Sequence, residues 1–280
     1  MILGPSEGGG PANLHVGTSG WSYPGWRGRF YPAGLASKGW LPYYSEAFDT
    51  VEVNMTFYRL PKPDDFKKWS DLTPPGFTFT LKANRQITHT KRLKDVGHEV
   101  SYFYHLAGNL GEKLGCILYQ LPPAIVRNDQ LLRDFLAVLS PEFKNVVEFR
   151  DPSWYAPDVY EILRSQGAIF CIVSSTKVPA DAVRTSDTAY FRFHGLTGGY
   201  RHDYSEAELG EWAGVVRATG ATETFAYFNN DYQAAAVRNA VRLRELLKPA
   251  ANGLTGKALW PNITGPGGTR TKGARHVNIP

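Results

Sequence analysis

Six ionisable residues stand at alternate positions of short apolar runs, and their types suit a site that moves protons and holds anions. Glu52 lies in Val51-Glu52-Val53-Asn54, Lys82 ends Phe79-Thr80-Leu81-Lys82, Glu148 and Arg150 flank Phe149, and Arg192 and His194 flank Phe193. Glu52 and Glu148 could act as general acid and base, with His194 as a second proton-transfer group. Lys82, Arg150 and Arg192 could clamp the charge that develops on a phosphoryl group, Arg by bidentate geometry and Lys as a point charge. Asn54, Gln120, Asn229 and Asn230, at the ends of similar runs, could orient a substrate by hydrogen bonds. Glu52, Glu148 and His194 are also the candidates for holding a divalent ion, Mg²⁺ or Mn²⁺. Three cations nearby would repel such an ion, and no His-x-x-x-His or paired-Asp spacing occurs.

The runs that carry these residues recur as eight strand-like segments, at 15–19, 51–55, 77–82, 116–120, 146–150, 169–173, 190–194 and 225–229. Val51, Val53 and Met55 share one face of the second, with Glu52 and Asn54 on the other; Phe191 and Phe193 oppose Arg192 and His194 in the seventh. The apolar set must meet covering helices, so the polar set points inward. Helix signals fill most gaps. Asp64 and Asp65 can cap a helix running to Trp69, and Ser205 with Glu208 forms a capping box. A last helix follows Asp231, with Val237, Ala240, Val241 and Leu247 inward. The signal is weak only between the sixth and seventh strands, where Pro179 interrupts. The expected fold is α/β, a single (β/α)8 TIM-like barrel over residues 14–248. An open doubly wound sheet is the rival, but no Gly-rich nucleotide fingerprint follows the first strand.

In such a barrel the carboxyl ends of the strands form one rim, where the polar residues crowd. A polar pocket is expected there. The alternative is a sealed ion-pair network, Glu148 with Arg192 and Glu52 with Lys82. Trp21, Tyr23, Tyr58 and Trp154 fall in loops on the same rim and could stack on bases or sugars, or simply cap the barrel mouth. Arg85, just past Lys82, adds a donor for phosphate or carboxylate.

Net charge is +5 over 280 residues, but its placement matters more than its size. Lys257, Arg270, Lys272 and Arg275 lie in residues 249–280, which contain no acid. That segment and residues 1–13 are rich in Gly, Pro, Asn and Thr and read as flexible tails, the second one basic. The core between them is close to charge balance, which argues against broad phosphate-backbone binding without the tail. Cys116 and Cys171 sit in apolar runs and read as reduced core thiols of a cytoplasmic protein. No apolar run approaches the ~18 residues of a membrane span, so no membrane association is expected.

Seven ordered blocks carry a resemblance across nearly all of this core. They include Val16-Gly17-Thr18-Ser19-Gly20-Trp21, Val51-Glu52-Val53-Asn54 with Phe57-Tyr58, and Lys82 through Thr88-His89. Gln120-Leu121-Pro122-Pro123, Glu148-Phe149-Arg150 with Pro152-Ser153-Trp154, Arg192 to Gly195, and Tyr227 to Asp231 complete the set. The chain resembles the YecE-like family, domains of unknown function with a TIM-like barrel. The resemblance implies that fold and carries no settled reaction. The residues favour a hydrolase-type enzyme acting on a small anionic, phosphate-bearing substrate such as a nucleotide or nucleic acid, a phosphodiester or phosphomonoester hydrolase. Two alternatives remain: a glycosidase-like enzyme using Glu52 and Glu148, and a non-catalytic nucleic-acid or metabolite binding module.

Overall fold

The alternating runs become eight parallel strands in the computed structural model, which describes residues 11–248. They are β1 (Asn13–Thr18), β2 (Thr50–Val53), β3 (Thr78–Lys82), β4 (Leu114–Gln120), β5 (Lys144–Glu148), β6 (Ile169–Ser174), β7 (Thr188–Phe193) and β8 (Glu223–Phe228). Their order is β1-β8-β7-β6-β5-β4-β3-β2, a nearly closed TIM-like barrel. The α-helices are α1 (Trp40–Ala47), α2 (Met55–Tyr58), α3 (Pro63–Asp71), α4 (Gly97–Ala107), α5 (Asp129–Ala137), α6 (Pro157–Ser165), α7 (Glu206–Ala218) and α8 (Ala235–Leu247). No helix joins β6 to β7, where the sequence signal is weak. Asn13, expected in the amino-terminal tail, is the first residue of β1, and Met55, expected in a strand, opens α2. The rest of that tail, except for residues 11 and 12, and all of the basic tail at 249–280 lie outside the described residues.

The period of two sorts the apolar side chains into two separate layers. Val51, Val53, Leu81, Val147, Phe149, Phe191 and Phe193 pack outward in one cluster with helix residues such as Leu132, Phe135, Val159, Leu163, Leu209 and Val237. Cys116, Leu118, Val146, Cys171, Val173, Tyr190, Phe225 and Tyr227 form a second cluster inside the barrel. Both cysteines are free and buried there. Apolar and tyrosine side chains therefore fill the lower barrel, and the charged residues at the next inward positions are left at its carboxyl end.

Helix starts follow local chemistry. Ser205 and Glu208 cap α7 as expected: Glu208 N donates to Ser205 Oγ (3.3 Å), and Ser205 N donates to Glu208 Oε2 (2.7 Å). The start of α3 differs, because Pro63 takes the first helical position and Lys62 becomes the cap. Asp65 still serves it, accepting from Lys62 N (2.9 Å). Among the described residues no helix is long and apolar enough to cross a membrane.

Closure between β1 and β2 rests on little ladder. One parallel bridge joins Ser19 to Glu52. Below it the Tyr44 hydroxyl of α1 enters the seam, accepting from Thr18 N (3.0 Å) and donating to Thr50 O (3.1 Å). A Cβ at Gly17 would run into the Thr50 carbonyl and crowd the Tyr44 hydroxyl, so the insertion depends on glycine there.

Candidate functional site

Arg192, brought inward by β7, stands between the two inward carboxylates. Its Nη2 donates to Glu52 Oε2 (2.7 Å) and its Nη1 to Glu148 Oε2 (2.5 Å). Glu52 also accepts from Ser19 Oγ (2.6 Å) and the Tyr190 hydroxyl (2.7 Å). Glu148 is paired again with Arg150, whose Nε lies 2.5 Å from Oε1. His194 Nε2 lies 3.0 Å from that same oxygen and 2.9 Å from Arg150 Nη2, and Asn229 Nδ2 lies 3.2 Å from its Nδ1. Glu52, Glu148, Arg192 and His194 are all buried.

This geometry fixes the charges. Burial pushes the Glu52 carboxyl up, but the Arg192 charge and hydrogen bonds from Arg192, Ser19 and Tyr190 outweigh it and hold it below its ordinary value. Glu148 is likewise raised by burial and then carried well below the carboxylate range by Arg150, Arg192 and His194. For Arg192 burial is overcome by Glu148 and Glu52, so its guanidinium stays charged. Burial lowers His194 to about 4, against the pull of Glu148. At neutral pH the cluster holds two carboxylates, two guanidiniums and a neutral imidazole.

Above the cluster opens a cavity of about 290 Å³, with Arg192 and Arg150 in its floor. Lys82, Gln120, Asn54 and Asn229 line its walls, with Tyr23, Tyr58, Tyr200 and Asp231 towards the rim. Lys82 Nζ donates to Gln120 Oε1 (2.7 Å) and stands 4.2 Å from the centre of the Phe57 ring. Among the described residues no carboxylate lies within ion-pair distance of it. Burial, then Arg192, lowers Lys82 to about 8, despite the opposing pull of Glu148 and Glu52. Asn54 Oδ1 is buried without a hydrogen-bond partner, and so is Arg192 Nε. Burial raises the Asp231 carboxyl above its ordinary value.

Eleven of the fifteen residues singled out from sequence meet here: Glu52, Asn54, Lys82, Gln120, Glu148, Arg150, Arg192, His194, Asn229, Tyr23 and Tyr58. Four do not. Trp154 is buried in the outer layer, stacked on Phe149 (4.7 Å) with Nε1 donating to Ile125 O (2.7 Å). Asn230 is buried and ties a loop, donating to His202 O and Asn239 Oδ1 (2.7 Å each). Trp21 packs edge-on against Trp69, and Arg85 is exposed outside the lining. The expected pairing of Glu52 with Lys82 is replaced, because Arg192 reaches Glu52 while Lys82 turns to Gln120. Tyr200 lies on the rim, as its loop after the seventh strand leads one to expect, whereas Ser19, Tyr190 and Asp231 were not singled out. Tyr190 shares the inward face of β7 with Arg192, so the same alternation could have found it. Asp231 reads in sequence as a helix start, which hid its place on the rim.

The candidate metal ligands do not fit an ion. A guanidinium occupies the space between the carboxylates, and among the described residues no three His, Cys, Asp or Glu side chains are grouped to hold a metal.

The chain matches the family described as "Protein of unknown function DUF72" over residues 15–263. The UPF0759 protein YunF of Bacillus subtilis (strain 168) is 27% identical over 285 residues, covering 88% of this chain and 99% of YunF. The UPF0759 protein YecE of Escherichia coli (strain K12) is 31% identical over 155 residues, 55% of this chain and 54% of YecE. Among solved structures, the DUF72 family protein TM1631 from Thermotoga maritima MSB8 has a TM-score of 0.77 at 33% identity, covering 84% of this chain and 99% of that one. A DUF72 family protein from Enterococcus faecalis V583 shares the fold at 18% identity, with a TM-score of 0.71 over 88% of this chain and 99% of that one.

Proposed function

Because the chain belongs to the DUF72 family, the YecE-like family of unknown function, we propose its function from the barrel mouth: it binds a small anionic, phosphate-bearing metabolite and acts on it through groups lining the cavity. One observation carries this reading. Lys82 faces the cavity without a carboxylate, whereas Arg150 is paired with Glu148 and Arg192 with both Glu52 and Glu148. A bound anion would complete the set and hold Lys82 in its charged form.

The size of the cavity, about 290 Å³, favours one metabolite over a nucleic-acid duplex. Small-molecule sites begin at roughly 300 Å³. Asn54, Gln120 and Asn229 give the polar contacts that would fix its orientation, and Tyr58 and Tyr200 offer ring faces at the entrance.

In this reading Glu52 and Glu148 are positioning groups that hold Arg192 and Arg150. A glycosidase needs one of its two carboxyls protonated. Both are held ionised here, with Arg192 between them, which speaks against sugar hydrolysis. Hydrolase-type chemistry on a phosphate ester would draw its proton-transfer groups from Lys82 and Asp231, the lining residues whose ordinary values are displaced towards neutrality. A melting-temperature screen of phosphate monoesters against their uncharged parent alcohols tests the reading. Stabilisation by the phosphorylated members alone is expected; equal shifts with the alcohols, or none with any phosphate, would overturn it.

A further inference from the structure

We propose that Lys82 is an amine nucleophile that forms a Schiff base with a phosphate-bearing aldehyde or ketone held at the barrel mouth. The inference rests on the anion-binding reading above and names the substrate class of that site.

Lys82 is built unlike the paired lysines, and it differs from Lys113, which also lacks a carboxylate but gives its protons to Ser70 O, Thr73 O and Thr73 Oγ1, in lining the cavity. Lys144 is paired with Glu223 (2.6 Å), Lys91 with Glu99 (2.7 Å) and Lys67 with Asp71 (3.0 Å). Lys82 is offered an amide oxygen instead, Gln120 Oε1 at 2.7 Å, and a ring face, Phe57. An amide oxygen orients an amine by accepting one proton, yet does not hold it as ammonium. Burial disfavours the ammonium most, and Arg192 and Arg150 oppose a third positive charge in the same cavity while Glu148 and Glu52 favour it. Desolvation beside other cations is how a lysine is activated as a nucleophile. The value near 8 follows from the same geometry and leaves free amine present at neutral pH.

A second group on the rim completes the chemistry. Asp231 lines the cavity, and burial favours its protonated form. Its segment is held by Trp26 Nε1, which donates to Asp231 O (3.2 Å). Gln233 and Ala234 follow in left-handed conformations (φ 53° and 60°) without glycine, the kind of backbone strain that surrounding structure must enforce.

The step balances with these groups and one proton from solvent. The Lys82 nitrogen lone pair attacks the carbonyl carbon, and the C=O π pair moves to oxygen, which takes one of the nitrogen protons. The carbinolamine hydroxyl then takes a proton relayed from solvent by Asp231 and leaves as water, giving a C=N iminium. No oxidant or reductant is needed. The phosphate would sit beside Arg150 and Arg192 within reach of the Lys82 nitrogen, so that the cationic iminium keeps the charge the anion matches, and the iminium would draw electrons from a neighbouring C–H or C–C bond.

The test incubates the full chain with glyceraldehyde 3-phosphate or with glyceraldehyde, adds cyanoborohydride, and maps adducts by peptide mass spectrometry. Lys82 is expected to label at least about tenfold faster than any exposed lysine, because more of it is free amine at pH 7. That preference should require the phosphorylated probe, have a pH midpoint near 8, and be suppressed by inorganic phosphate. Lys82→Arg, which keeps the charge, should lose the mapped adduct. Calorimetric titration with inorganic phosphate runs in parallel. If phosphate binds but adducts scatter over exposed lysines and spare Lys82, the Schiff-base inference is overturned and the anion site stands. If phosphate does not bind and Lys82 stays unlabelled, both fall.

Discussion

Arg192 is the residue on which the mouth turns, because it alone separates two buried carboxylates. Arg192→Met would leave Glu52 and Glu148 facing each other without their shared counter-charge. Breaking a buried pair in this way costs about 3–5 kcal/mol, so urea denaturation should show a loss of that order, with Arg192→Lys retaining only part of it. Acid should act in the same direction. His194 falls to about 4 in the native state, below its unfolded value of roughly 6.5. Between those values the unfolded chain takes up a proton that the native state refuses, so stability drops as pH falls through that window. Glu52 and Glu148, both depressed, add stability that is present above their unfolded values and is lost as pH falls through their folded ones. Unfolding free energy measured against pH should decline from pH 6.5 downward, and His194→Gln should flatten the upper part of that slope. Lys82 follows the same rule as His194, with its window between about 8 and its unfolded value of roughly 10.4. Its charged form is disfavoured in the native state, so Lys82→Met should melt no lower than the unmodified chain at pH 7.

Individual elements account for how these residues come together, and much of that was legible. Alternation alone put Glu52, Lys82, Glu148 and Arg192 inward, because the outer face of each strand must be apolar to meet a helix. Among the described residues, Pro179 marked the one strand-to-strand connection without a helix. Pairing was not legible. Whether Lys82 or Arg192 reaches Glu52 depends on strand tilt and stagger, which no single strand encodes, and Arg192 has the longer, forked reach. Trp154 misled because a loop position after a strand reads the same whether its ring faces the mouth or folds back onto Phe149. Tyr44 was invisible for a related reason: its role lies in a seam between strands far from it in sequence. Tyr44→Phe should remove the acceptor of Thr18 N and the donor to Thr50 O, a loss of about 1–3 kcal/mol. Hydrogen exchange should locate the damage, with the Thr18 amide losing protection before amides of β5 or β6.

The whole molecule combines an apolar barrel interior with a charged mouth of both signs, close to neutral in sum. Its net charge of +5 therefore says little about the site, since Lys257, Arg270, Lys272 and Arg275 belong to a segment outside the described residues. Removing residues 249–280 should weaken any salt-sensitive nucleic-acid binding while leaving phosphate binding at the mouth unchanged, as filter binding and calorimetry together would show. Among the described residues, what makes the mouth specific is Lys82, a cation without a carboxylate partner above a cluster whose charges are already matched. The most direct measurement is calorimetric titration of inorganic phosphate into the full chain and its Lys82→Met variant at pH 7 and pH 9. A single site is predicted at pH 7, weaker at pH 9 as Lys82 loses its proton, and weaker by about tenfold or more in the variant, the worth of one charge-assisted hydrogen bond. Equal affinity in the two proteins, or no binding at either pH, would contradict the account.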